Sequence, residues 1–120
     1  MRIVYVEDNP ANVALVERIS RMNSDELVTY TGPDEAYENI HPGGTDLILI
    51  DINLGDTETN GLQLTGKLRE KGVHDPIVII TAYDAMGYPD QFRTAGFNEY
   101  ILKPVSVRGM IELINAYRPQ

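Results

Sequence analysis

The residues of this chain that could do chemistry stand where apolar runs stop. Ile3-Val4-Tyr5-Val6 runs into Glu7-Asp8, Leu47-Ile48-Leu49-Ile50 into Asp51, Ile77-Val78-Ile79-Ile80 into Thr81, and Tyr100-Ile101-Leu102 into Lys103-Pro104. A carboxylate such as Asp51 can attack phosphorus and form an acyl phosphate. Glu7, Asp8 and Asp51 are hard oxygen donors suited to Mg2+, which takes one or two protein carboxylates and fills its shell with water and phosphate oxygens. Asn53, two residues past Asp51, offers its backbone carbonyl as a further ligand. Lys103 supplies a point charge for a phosphoryl oxygen, and the Thr81 hydroxyl a hydrogen bond.

Singly, each has an ordinary explanation. An acid after a strand usually opens a solvated loop, a threonine there caps a helix, and a lysine sits on the surface. Together they argue otherwise, because each ends its own run. Short β-branched runs without alternation mark strands buried on both faces of a parallel sheet. In such sheets all carboxyl ends share one edge, where loops form the binding crevice. Three carboxylates, a hydroxyl and an ammonium are therefore expected in one place.

The 120 residues are expected to form a single domain, 1–120, which buries roughly two-thirds of its unfolded surface. Eighteen acids against ten Lys plus Arg give a net charge of −8. That balance argues against nucleic acid and against an anionic membrane surface as partners. There is no cysteine, hence no disulfide framework or thiol chemistry. Only four apolar residues precede the first acids, too few for a signal peptide, and nothing approaches a membrane span. The expectation is a cytoplasmic protein.

Strand runs alternate with helical patterns, which implies a doubly wound α/β sheet. Pro10 opens a first helix, with Val13, Val16 and Ile19 on one face and Leu15 and Met22 beside it. Leu27-Val28-Thr29-Tyr30 is more polar than the other runs, as an edge strand is. Gly32-Pro33 opens a second helix carrying Ala36, Tyr37 and Ile40; Leu64 and Leu68 mark a third. A weaker fourth pattern carries Met86, Phe92 and Ala95 and closes on Gly96 as a C-cap. Val107, Met110, Ile111, Ile114 and Tyr117 form the stripe of a fifth. Five strands, five helices and a polar second strand favour the flavodoxin-like order 2-1-3-4-5. No output domain is expected.

At this point the chain resembles the receiver domain of two-component response regulators, over nearly all of its length. The matching motifs are Val6-Glu7-Asp8-Asn9, Leu47 through Leu54 around Asp51, Thr81-Ala82 and Tyr100-Ile101-Leu102-Lys103-Pro104. The resemblance implies that Asp51 accepts a phosphoryl group from the phosphohistidine of a sensor histidine kinase or phosphotransfer protein. It implies Mg2+ on Glu7, Asp8, Asp51 and the Asn53 carbonyl. Thr81 and Lys103 would contact the phosphoryl group, with Tyr100 as the switch aromatic and a cis peptide bond between Lys103 and Pro104. A downstream protein would be met on the face of the fourth helix, fifth strand and fifth helix. Self-phosphorylation from small donors and autodephosphorylation are also implied, without enzyme turnover.

Three features depart from the family pattern. Gly55 stands where a proline is usual, and the family's following glycine corresponds to Gly61, ten past Asp51, so the loop is two residues longer and carries Asp56 and Glu58. Tyr83, two past Thr81, is bulky at a position that influences hydrolysis of the acyl phosphate. Val105 and Asn98-Glu99 replace residues common in DNA-binding regulators, which points to a stand-alone receiver or the receiver of a hybrid histidine kinase. A haloacid-dehalogenase-like phosphatase is the rival enzyme class, but it wants an acid where Asn53 stands. A flavin carrier wants a Ser/Thr/Gly-rich loop after the first strand, which is absent. His41 and His74 sit among loop residues and read as surface histidines.

Overall fold

A computed structural model describes residues 1–52, 61–81 and 96–119. The apolar runs form β1 (Arg2–Val6), β2 (Glu26–Tyr30), β3 (Leu47–Asp51), β4 (Ile77–Thr81) and β5 (Glu99–Leu102). They pair in parallel in the order β2-β1-β3-β4-β5. Val6 lies beside Tyr30 and Ile50, Asp51 beside Ile80, and Thr81 beside Leu102. The polar residues that end the runs therefore share one edge.

The unbroken hydrophobicity of β3 and β4 has its cause in their central position, where every residue is buried. Successive side chains point to opposite faces, and the core divides accordingly. Val4, Val6, Ile48, Ile50, Ile77 and Ile79 pack on one face. Ile3, Tyr5, Leu47, Leu49, Val78 and Ile80 pack on the other. β2, at an edge, is half-buried along most of its length.

Four helices lie among the described residues: α1 (Pro10–Met22), α2 (Pro33–Asn39), α3 (Gly61–Glu70) and α4 (Val107–Ala116). The helix expected from Met86, Phe92 and Ala95 falls outside them. Gly96, its expected cap, has a φ of 90°, which glycine adopts without a steric penalty. Asn9 caps α1 by accepting from the Ala11 and Asn12 N–H groups, with Pro10 in the first turn. Ser106 caps α4 through the Gly109 N–H.

Three apolar stripes need correcting at their margins. Met22 is 73% exposed and Val107 52% exposed, since each sits at a helix terminus beyond the sheet it was expected to cover. Leu113 is buried with Met110 and Ile114 instead, the i, i+3, i+4 set that faces the sheet. Tyr37 is exposed, and the Lys71 ammonium lies 4.9 Å from its ring centroid. No helix among the described residues is long and apolar enough to cross a membrane.

Candidate functional site

Asp51 is the last residue of β3 and is 2% exposed. Its Oδ2 accepts a hydrogen bond from the Lys103 ammonium at 2.7 Å. The sheet ladder continues past the strand ends and holds this pair in register: the Ile52 N–H donates to Ile80 O at 2.9 Å and the Lys103 N–H to Thr81 O at 2.8 Å. Thr81 ends β4 and is fully buried. The Lys103–Pro104 peptide bond is cis.

Gly61 opens α3 directly against this backbone. A Cβ on it would lie 2.5 Å from the Asp51 carbonyl oxygen and 2.8 Å from the Ile52 Cα. Its N–H donates to Ile52 O at 2.9 Å. Only a residue without a side chain fits there, so the position fixes how closely α3 approaches Asp51.

Glu7 follows β1 and is 1% exposed. Its Oε2 accepts from the Tyr5 hydroxyl at 3.2 Å and its Oε1 from the Asn9 N–H at 3.1 Å. Burial and a hydrogen bond to the Asp51 carboxylate push its pKa up to about 7, against the opposing pull of the Asn9 N–H and Lys103. Near neutrality Glu7 thus carries a proton part of the time, which relieves the repulsion between the two carboxyls. Burial and the neighbouring Glu7 also raise the Tyr5 phenol well above its ordinary value.

The remaining expected residues are distributed more loosely. Asp8 is exposed beside Glu7. Tyr100 is half-buried, and its ring meets Phe97 edge-on with centroids 6.4 Å apart. His41 and His74 are exposed. Asn53, Gly55, Asp56, Glu58 and Tyr83 lie outside the described residues. Two participants were not singled out from sequence as parts of the site: Tyr5, read only as part of an apolar run, and the N–H of Asn9. Tyr5 had a local signal, because residues i and i+2 of a strand point the same way.

The donor set fits a hard divalent cation by its chemistry. Two buried carboxyls face a single ammonium, so negative charge is in excess, and oxygen donors are what Mg2+ selects. Among the described residues no three acidic or histidine side chains already converge as a closed metal cage. Glu7 and Asp51 are together, while Asp8 remains exposed.

The sequence profile of the response regulator receiver domain matches residues 3–115. The polar-differentiation response regulator DivK of Brucella ovis is 33% identical over 117 residues, covering 96% of this chain and 94% of that protein. The chemotaxis protein CheY4 of Vibrio cholerae superposes with a TM-score of 0.84 at 16% identity, over 98% of both chains, a likeness of fold. The receiver domain of the sensor histidine kinase PA1611 of Pseudomonas aeruginosa superposes with a TM-score of 0.80 at 26% identity, over 97% of this chain and 95% of that one. That structure has a magnesium ion coordinated in its active-site cleft. The phosphatase alternative is not favoured by these relationships. The chain belongs to the response regulator receiver family, and its role is phosphoacceptor signalling in two-component systems.

Proposed function

We propose that Asp51 is the phosphoacceptor, taking the phosphoryl group from the phosphohistidine of a sensor kinase or phosphotransfer protein. The observation that carries this reading is the buried Asp51 carboxylate at a central strand end, with the Lys103 ammonium 2.7 Å from Oδ2 and Glu7 beside it. A carboxylate oxygen attacks phosphorus, the new O–P bond forms as the P–N bond to the donor imidazole breaks, and the imidazole leaves with the electron pair. Lys103 already neutralises one Asp51 oxygen and is within reach of a phosphoryl oxygen added there. Thr81 donates its hydroxyl to a second oxygen.

Glu7, Asp8, Asp51 and the Asn53 carbonyl are the residues that would hold Mg2+, the ion found in the active-site cleft of the PA1611 receiver. When bound, the ion supplies positive charge against the phosphoryl oxygens. Phosphorylation of Asp51 turns the carboxylate that Lys103 holds into an acyl phosphate, so the pair must rearrange. We read that change as the trigger that draws Thr81 toward the phosphoryl group and Tyr100 inward, altering the surface of β5 and α4 for a downstream protein, the fourth helix expected in that face lying outside the described residues. The chain works in this reading as one receiver unit in the cytoplasm. Output passes by protein contact, and labelling from small donors is intrinsic to the site.

The test is direct. Incubation with Mg2+ and acetyl phosphate is expected to add one phosphoryl group, seen by intact mass and removed by hydroxylamine. Asp51→Asn is expected to abolish the adduct. Undiminished labelling of that variant would remove Asp51 from its role.

A further inference from the structure

Glu7 is one of the two buried carboxyls of the site, and what fixes its orientation lies one layer beneath. Both of its oxygens are engaged: Oε1 by the Asn9 N–H at 3.1 Å and Oε2 by the Tyr5 hydroxyl at 3.2 Å. The first comes from backbone that any residue would supply. The second exists only because this strand carries a phenol two residues before the acid, on the same face. A carboxylate on a flexible stem binds a cation less well if it must first be ordered, and outer partners of ligands commonly set metal affinity for this reason.

We infer that Tyr5 is a positioning residue for divalent-metal binding: its hydroxyl pins Glu7 in the crevice beside Asp51 and so sets the Mg2+ affinity of the site. The inference rests on the metal-binding reading given above. Tyr5 is 2% exposed, and its ring forms part of the wall of a cavity of about 460 Å³ between α1 and the turn at 103–105, with Val16, Lys103 and Met110. The ring's packing and the hydroxyl's bond are therefore separable. Phenylalanine keeps the ring and removes only the oxygen that reaches Glu7.

The consequence is a split between affinity and chemistry. Tyr5→Phe is expected to raise the Mg2+ dissociation constant by roughly tenfold, the low end for an outer-shell partner, since the Asn9 N–H still holds one oxygen. Labelling by acetyl phosphate at saturating Mg2+ is expected to stay within about twofold of wild type, because Asp51, Lys103 and Thr81 are not touched. At limiting Mg2+ it should fall with the occupancy of the site.

Isothermal titration calorimetry with Mg2+ alone measures the affinity without any phosphodonor. Tyr117→Phe is the control, since it removes a hydroxyl that donates to the Glu99 carboxylate at 2.9 Å on the exposed side of α4. The expected result is a weakened constant for Tyr5→Phe and an unchanged one for Tyr117→Phe. Loss of packing alone would lower the melting temperature without moving the Mg2+ constant. Equal constants for wild type and Tyr5→Phe overturn the positioning role while leaving the metal site intact. Absence of Mg2+ binding by the wild-type protein overturns both readings at once.

Discussion

Among the described residues two places bury carboxylates, and they are compensated in opposite ways. Asp25, between α1 and β2, has a side chain 1% exposed and receives two bonds from Arg118, at 2.8 and 2.9 Å, and one from the Met1 ammonium at 3.1 Å. Two cations serve one anion, and its pKa is lowered, chiefly by the Arg118 hydrogen bonds. In the crevice the ratio is reversed. Glu7 and Asp51 share one Lys103, with Asp8 next to them, and the pKa of Glu7 is raised. A carboxylate that only holds chain segments together is fully neutralised by the fold. The crevice keeps an excess of negative charge, which a cation from solution can neutralise, and stability is the quantity sacrificed.

The comparison breaks most visibly at Asp25. Removing one partner of a buried pair strands the others. Asp25→Asn is expected to lower the melting temperature by roughly 5–10 °C at pH 7, scaled to a domain of this size. Because the folded pKa of Asp25 lies below its ordinary value of 3.8, its contribution is complete above that pH and is lost as pH falls through the folded pKa. The gap between wild type and variant should therefore narrow in strong acid. Differential scanning calorimetry across pH checks both the size and the narrowing.

The two regions also differ in how far they could be read in advance. The crevice is written locally, since each candidate residue ends or directly follows an apolar run, and burial on both faces keeps the runs of β1, β3 and β4 uninterrupted. Parallel pairing then aligns the ends. The Asp25 clasp leaves no such trace: its partners are 24 and 93 residues away in sequence, and nothing in Asn23-Ser24-Asp25 sets it apart from a solvated turn. Helix faces fall between these cases. Periodicity found Met110 and Ile114, yet it also enrolled Val107, because a pattern of residues cannot say where the sheet beneath a helix stops. Gly61 was recognisable as the family's glycine, but the reason for it, a backbone 2.5 Å from where its Cβ would be, exists only in three dimensions.

Metal should partly erase the contrast. Mg2+ at tenfold its dissociation constant is expected to stabilise the wild-type fold by about 1.4 kcal/mol, provided that it binds the native state alone. In a domain of this size that is about 5 °C. The same concentration should do nothing to rescue Asp25→Asn beyond that common increment, since the clasp has no part in binding the ion. Thermal melts with and without Mg2+ test the additivity, and a metal response confined to one of the two proteins would show that the regions are coupled.

The dependence on pH tests the crevice's charge excess by itself. Two ionised carboxylates ~4 Å apart repel by roughly 4 kcal/mol at an effective dielectric near 20, and Lys103 offsets most of that. Glu7 titrates near 7 when folded, against an ordinary value of 4.5. Between those values the folded state binds more protons than the unfolded one, so Glu7 makes stability fall as pH rises. Its favourable contribution is complete below about 4.5 and gone above about 7. Glu7→Gln cannot ionise and resembles the protonated acid in size: its amide oxygen can accept from the Asn9 N–H, and its amide N–H can donate to the Asp51 carboxylate as the protonated acid does. Its melting temperature is expected to match wild type at pH 4.5 and to exceed it at pH 8 without metal, an effect set by the lost repulsion. Excess Mg2+ at pH 8 should reverse the order, because the ion then stabilises the carboxylate that the variant lacks. A gap between the two proteins that does not change with pH would mean that shape, rather than charge, distinguishes this site from the clasp at Asp25.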